Sequence, residues 1–172
     1  MSVRERIEDA KLLWNAGRKE GAFLLILIAV AATARKRYPK APKGVKPVPD
    51  TQRPHPGEYA KDGNAFKTFI LDEMEKITGG AKYNVAFPFR GTDKVPLEDI
   101  LYIHLRCHMI HEGETPATIA FTEPLVENGR SYSVLKLTDP LGFPEFWMWN
   151  LARVVAQAAE NKDLFRDYPT ND

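Results

Sequence analysis

Apolar positions near the start of the chain recur at helical spacing, at Val3, Ile7, Ala10 and Trp14, and a polar break follows at Asn15–Gly17. Ser2–Trp14 is therefore expected to be an amphipathic helix. The next run, Arg18–Tyr38, follows a different pattern. Its middle, Ala22–Ala32 (AFLLILIAVAA), is apolar on every side, between Arg18, Lys19 and Glu20 at one end and Arg35, Lys36 and Arg37 at the other. A helix that is apolar all round belongs at the centre of a bundle. The run falls short of the ~20 residues that span a bilayer. It also starts too far into the chain, behind an acidic amphipathic stretch, for an export signal. Cations in its last turn suit the helix dipole, and Pro39 stops it.

Residues 39–57 break the pattern with six of the chain's 13 prolines, together with Lys40, Lys43, Lys46 and Arg53. Such a segment is either a solvated connector or a basic arm for phosphates. Helical spacing resumes with Phe66, Phe69, Ile70, Met74 and Ile77, capped by Asp62 or Asn64 and ended by Gly79-Gly80. Tyr83–Phe89 reads as short and extended. Pro96, with Glu98 and Asp99 behind it, opens a further helix that ends near Gly113. Thr118–Thr122 and Ser131–Leu137 read as a hairpin around Asn128-Gly129. Glu145–Asn161 reads as a last helix. The expected fold class is all-α: a bundle of about five helices with a small β-hairpin inserted before the C-terminal helix. One domain is expected over residues 1–172, with a core at about 1–115 and an extension at 116–172.

Composition narrows the partners. The chain has 172 residues, 44% of them hydrophobic and 27% charged, with a formal net charge of +1. That is ordinary for a globular protein, and any anionic partner needs a local patch. A single cysteine excludes an intramolecular disulfide, which fits a reducing, cytoplasmic setting.

The candidate chemistry is concentrated in Leu101–Glu112 (LYIHLRCHMIHE). This segment holds the only cysteine and three of the four histidines. At about 100° per residue, His104, Cys107, His108 and His111 share one helical stripe. Leu101, Tyr102, Ile103, Leu105, Met109 and Ile110 take the wider arc, with Arg106 in or beside it. A buried arginine needs a partner or an interface. Three readings fit. His104 and His108 at i, i+4 suit a metal ion, with Cys107 or His111 adding a ligand. The same histidines suit a polar helix seam. The third is Arg/His chemistry on RNA: a neutral histidine moves the 2′-hydroxyl proton, an arginine holds the phosphate, and no metal is needed.

The stretch Arg106-Cys107-His108-Met109-Ile110-His111-Glu112-Gly113, with Leu101-Tyr102 upstream, resembles the Arg-x4–6-His motif of the HEPN superfamily. The long apolar helix ending Ala34-Arg35-Lys36-Arg37-Tyr38-Pro39 and the Phe-rich Ala65–Glu73 carry the resemblance over roughly residues 10–115. It implies an all-α domain that dimerises, acts as a metal-independent endoribonuclease and leaves 2′,3′-cyclic phosphate ends. It implies Arg106 and His111 as the catalytic pair, with His108, Cys107 and Glu112 beside the substrate and no cofactor. It also implies a toxin–antitoxin or phage-defence setting, with RNA or nucleotide, a second copy or an antitoxin as partners, and no membrane. On an ideal helix Arg106 and His111 point about 140° apart, so two chains sharing a site would reconcile them. Cys107 stands where the family most often has asparagine. That motivates the alternative, a non-catalytic nucleotide- or RNA-binding or protein-interaction module.

Overall fold

Ser2 caps the first helix with a capping box: its hydroxyl accepts the Glu5 amide, and the Glu5 carboxylate accepts the Ser2 amide. The helix, α1 (Val3–Asn15), buries Val3, Ile7 and Ala10. This computed structural model describes residues 1–81, 85–132 and 134–167. Tyr83 and Ser133, both inside stretches expected to be extended, lie outside the described residues.

The apolar run becomes α2 (Lys19–Arg37), the central helix, and it contacts α1, α3 (Asp62–Asp72), α7 (Glu145–Gln157) and the helix that carries the histidine cluster. Its two ends are charged for different reasons. Lys19 is engaged by Glu145 and by Glu123, and its ammonium lies over the Trp14 ring. Arg35 and Arg37 tie down the other end, against the Ala60 carbonyl and Glu160. The Phe-rich segment divides into α3 (Asp62–Asp72) and α4 (Met74–Thr78) at Glu73. All five residues expected to form its apolar face are buried, and Gly79 ends it in the left-handed conformation.

The Pro-rich segment is pinned rather than free. Gly57 donates to the Arg37 carbonyl (2.8 Å), Val48 to Tyr59 (2.8 Å) and Ala60 to Pro39 (3.0 Å). Arg53 pairs with Asp72, and Lys61 with Asp50 at 2.7 Å. Lys40, Lys43 and Lys46 stay exposed.

The expected all-α bundle is corrected: the fold is mostly helical but mixes in three two-stranded sheets among the described residues. β1 (Ala86–Phe89) and β2 (Thr92–Pro96) form an antiparallel hairpin. Arg90 and Gly91, both at positive φ, make its turn. Pro88 falls where the register shifts between Phe87 and Phe89, so its missing N–H costs no ladder bond. The late hairpin is β4 (Leu125–Glu127) with β5 (Arg130–Tyr132), turning at Asn128-Gly129 as expected. The expected first strand does not join it. That segment, β3 (Ile119–Thr122), pairs in parallel with β6 (Leu141–Pro144), a crossover that local turn signals do not encode. α7 (Glu145–Gln157) follows, then a 3-10 turn at Ala159–Leu164. Phe143, Trp147 and Phe87 stack across the β1–β2 hairpin, β6 and α7.

The helix with the histidine cluster spans residues 97–112, with a π-wound centre. It runs α5 (Leu97–Asp99), a π segment (Ile100–Cys107) and α6 (His108–Glu112), with Gly113 as its left-handed cap. No helix among the described residues is long and apolar enough to cross a membrane.

Candidate functional site

The π winding decides which side chains line up. Leu97, Leu101, Leu105 and Met109 are all buried, and they recur every four residues. On an α-helix of about 3.6 residues per turn, that spacing drifts about 40° at each step. A π-helix closes i to i+5 and has more residues per turn, so its lag offsets the α lead, and a helix with α ends and a π-wound centre keeps a four-residue repeat closer to line. Glu98, Tyr102 and Arg106 form a second such row, one residue along. Ile103 and Ile110, expected on the wide apolar arc, are each 46% exposed: they lie at its far edge, about 100° or more from the Leu101–Leu105–Met109 row.

Arg106 is turned inward. Its guanidinium carbon sits 5.5 Å from the Tyr102 ring centre and 6.0 Å from that of Phe66. Its Nε is shielded from solvent and has no hydrogen-bond partner. The side chain enters a cavity of about 240 Å³ also lined by Ile28, Ala31, Ala32, Arg35 and Asp62. The two small alanines of α2 leave this space open. Arg35 is committed: it donates to the Tyr38 carbonyl (3.0 Å) and the Ala60 carbonyl (2.8 Å) and pairs with Asp62. Burial lowers its pKa from the ordinary value. The cavity thus faces two guanidinium groups and one carboxylate, and Arg106 is the one with donors to offer.

The other residues expected at the site do not converge on it. His111 and Glu112 are exposed in the last turn, and Cys107 and His108 are half-buried. None of these four lines the cavity that Arg106 enters. The His104 ring packs on Phe89 with centroids 4.7 Å apart. Burial, then the nearby Arg90 charge, holds its pKa below the usual histidine value. Among the described residues, no three His, Cys, Asp or Glu side chains are grouped to hold a metal ion.

A larger cavity of about 630 Å³ adjoins the first and shares Asp62 with it. Its walls are the Asp50–Arg53 turn of the Pro-rich segment, the start of α3, and Glu98, Asp99, Tyr102 and Ile103 of the motif helix. Glu98 and Tyr102 escaped sequence reasoning, as did Arg35. Glu98 and Arg35 read there as terminal charges matched to the dipole of their own helices. The signal available was the four-residue spacing of Glu98, Tyr102 and Arg106.

Fold and site define a mostly helical α/β protein that turns a half-buried arginine of a π-wound helix into a cavity between helices. The chain belongs to the Rv1289 family, whose model matches residues 2–167. No curated protein and no solved structure matches it.

Proposed function

We propose that this protein binds a nucleotide, free or as part of single-stranded RNA, and holds its phosphate on Arg106. The observation that carries the reading is the Arg106 guanidinium, turned into a helix-lined cavity with an unpartnered, shielded Nε. A guanidinium in such a setting makes charge-assisted, fork-like hydrogen bonds to phosphate oxygens. Partial burial strengthens them relative to an exposed pair. With Arg35 paired to Asp62, Arg106 is the cation of this cavity left to meet an anion, and the resemblance to HEPN motifs points to the same arginine.

The test is titration of the full chain with inorganic phosphate, 5′-AMP and a short oligoribonucleotide at fixed salt. Arg106→Ala is expected to weaken nucleotide binding about tenfold or more, with Arg106→Lys in between. Tighter binding of the oligomer than of the mononucleotide assigns RNA as the source. Nucleotide affinity unchanged in Arg106→Ala overturns the reading.

A second reading, metal-independent RNA cleavage, is favoured by the exposure of Ile103, Ile110 and His111 on the helix that carries Arg106. Two copies meeting on that helix would bring His111 of the partner subunit towards Arg106. His111 would then take the 2′-hydroxyl proton, and Arg106 would stabilise charge on the phosphate. Incubation of RNA with protein and EDTA checks this, and undiminished cleavage by His111→Ala rules it out.

A further inference from the structure

The wall of the larger cavity holds a buried carboxyl with an open valence. Each cation on its wall already faces an anion: Lys61 lies 2.7 Å from Asp50, Lys67 lies 2.8 Å from Asp99, and Arg53 pairs with Asp72. Glu98 is different. It is only 6% exposed, and its Oε2 is shielded with no hydrogen-bond partner. Burial lifts its pKa above the ordinary carboxyl value, so the carboxyl sits in a site that disfavours its charge until a donor arrives. A buried, unsatisfied acceptor is costly, and a ligand that supplies a donor recovers that cost.

Beside Glu98, one position further along the same row, stands Tyr102. Its ring rests against α3, where a glycine eases the approach. A Cβ on Gly63 would meet Tyr102 Cε1 at 3.0 Å and Cζ at 3.2 Å. Phe66 flanks the ring at 5.3 Å, and Arg106 lies over it. The row therefore presents a carboxyl, an aromatic ring and a guanidinium in sequence. The carboxyl and ring face the larger cavity and the guanidinium faces the adjoining one. At about 630 Å³ the larger cavity has room for a nucleoside.

We infer that the larger cavity is a nucleobase pocket, in which Glu98 accepts a hydrogen bond from an exocyclic amine and Tyr102 offers the aromatic surface. The inference rests on the phosphate-binding reading of Arg106 and adds the identity of the base: an amino-bearing base is taken and uracil is refused. Cytosine and uracil have the same ring size and differ at this edge, N4-amine donor against O4 acceptor. With O4 in the place of the amine, uracil sets an acceptor against an acceptor-only carboxylate, and its one donor on that edge, N3–H, reaches Glu98 only if the base shifts by one ring position.

The experiment compares 5′-CMP with 5′-UMP, and cytidine with uridine, on the full chain by calorimetry. The wild type is expected to bind CMP about tenfold more tightly than UMP, the size of one well-placed base-edge contact. A Glu98→Gln amide can turn to donate or accept, so the preference is expected to shrink to within about twofold, with circular dichroism confirming the fold. Arg106→Ala is expected to weaken both nucleotides equally and keep their ratio. Equal or reversed wild-type preference, with Arg106-dependent binding intact, overturns the base pocket and leaves the phosphate site standing. Glu98-dependent preference for cytidine over uridine, without any contribution from Arg106, keeps the pocket and removes the phosphate site. No binding of any of the four compounds overturns both.

Discussion

Gly63 shows how a single position balances helix propensity against packing. It sits in the first turn of α3, where replacing glycine by alanine ordinarily gains about 0.5–1 kcal/mol. Here the new methyl would stand 3.0 Å from the Tyr102 ring. That ring is held by Phe66 on one side and Arg106 on another, so relief requires a shift of several side chains. Overpacking of this kind costs about 1–3 kcal/mol, which outweighs the propensity gain. Gly63→Ala is therefore expected to lower stability by about 1 kcal/mol in urea denaturation. A gain in stability would show that the ring moves freely and is not a fixed surface. From sequence alone Gly63 is merely a glycine in a helix start. The residue that gives it meaning, Tyr102, lies 39 positions away.

At the scale of elements, legibility followed the strength of the local signal. The apolar run of α2 and the Phe-rich face of α3 and α4 were readable because burial dictates their pattern directly. The β1–β2 hairpin was not, because its turn is Arg90-Gly91 and its proline sits at the register shift. The motif helix was read correctly as a helix but with the wrong period. A fixed 100° step is blind to π winding, and the same step placed Arg106 in an apolar arc without showing the cavity beside it. The junction between this helix and the β1–β2 hairpin carries a pH prediction. His104 packs on Phe89, and burial together with Arg90 and His108 lowers its pKa, against a weaker opposing effect of Asp99. The unfolded chain thus binds the proton first as pH falls below about 6.5. Folded stability is full above that value and declines beneath it, towards the lowered folded value. His104→Gln carries no such charge at any pH. Denaturation curves between pH 7.5 and pH 5 (about one to two units either side of the free histidine value) should show a shallower acid slope in this variant. Identical slopes would remove His104 as a source of acid sensitivity.

At the scale of the whole molecule, Arg37 joins segments far apart in the chain. From the last turn of α2 it donates to Glu160 through Nε (2.9 Å) and Nη2 (3.2 Å), and to Glu73 through Nη1 (3.0 Å). Asp72 lies 3.6 Å away, and the guanidinium covers the Phe69 ring at 4.5 Å. Burial opposes its charge, but the hydrogen bonds it donates to Glu160 and Glu73 outweigh that and raise its pKa. The sequence offered Arg37 only as one of three terminal cations, since its partners are brought in by tertiary folding. Neighbouring contacts extend the same junction. Lys36 donates to Asn161 Oδ1, and the fully buried Asn161 amide donates to Thr33 and to the Val155 carbonyl, all at 2.8 Å. Removing the guanidinium leaves Glu73, itself only 8% exposed, with Lys76 as its remaining ion-pair partner among the described residues. Removing one partner of a buried pair costs about 3–5 kcal/mol, and the contact that Lys76 keeps with Glu73 places this case at the low end. Arg37→Met keeps most of the hydrophobic stem, so its expected loss of about 3 kcal/mol reports the charge rather than the packing. The double variant Arg37→Met with Glu73→Gln should recover part of that loss, because the stranded carboxylate is gone. Additive losses in the double variant would mean that the two side chains stabilise the fold independently.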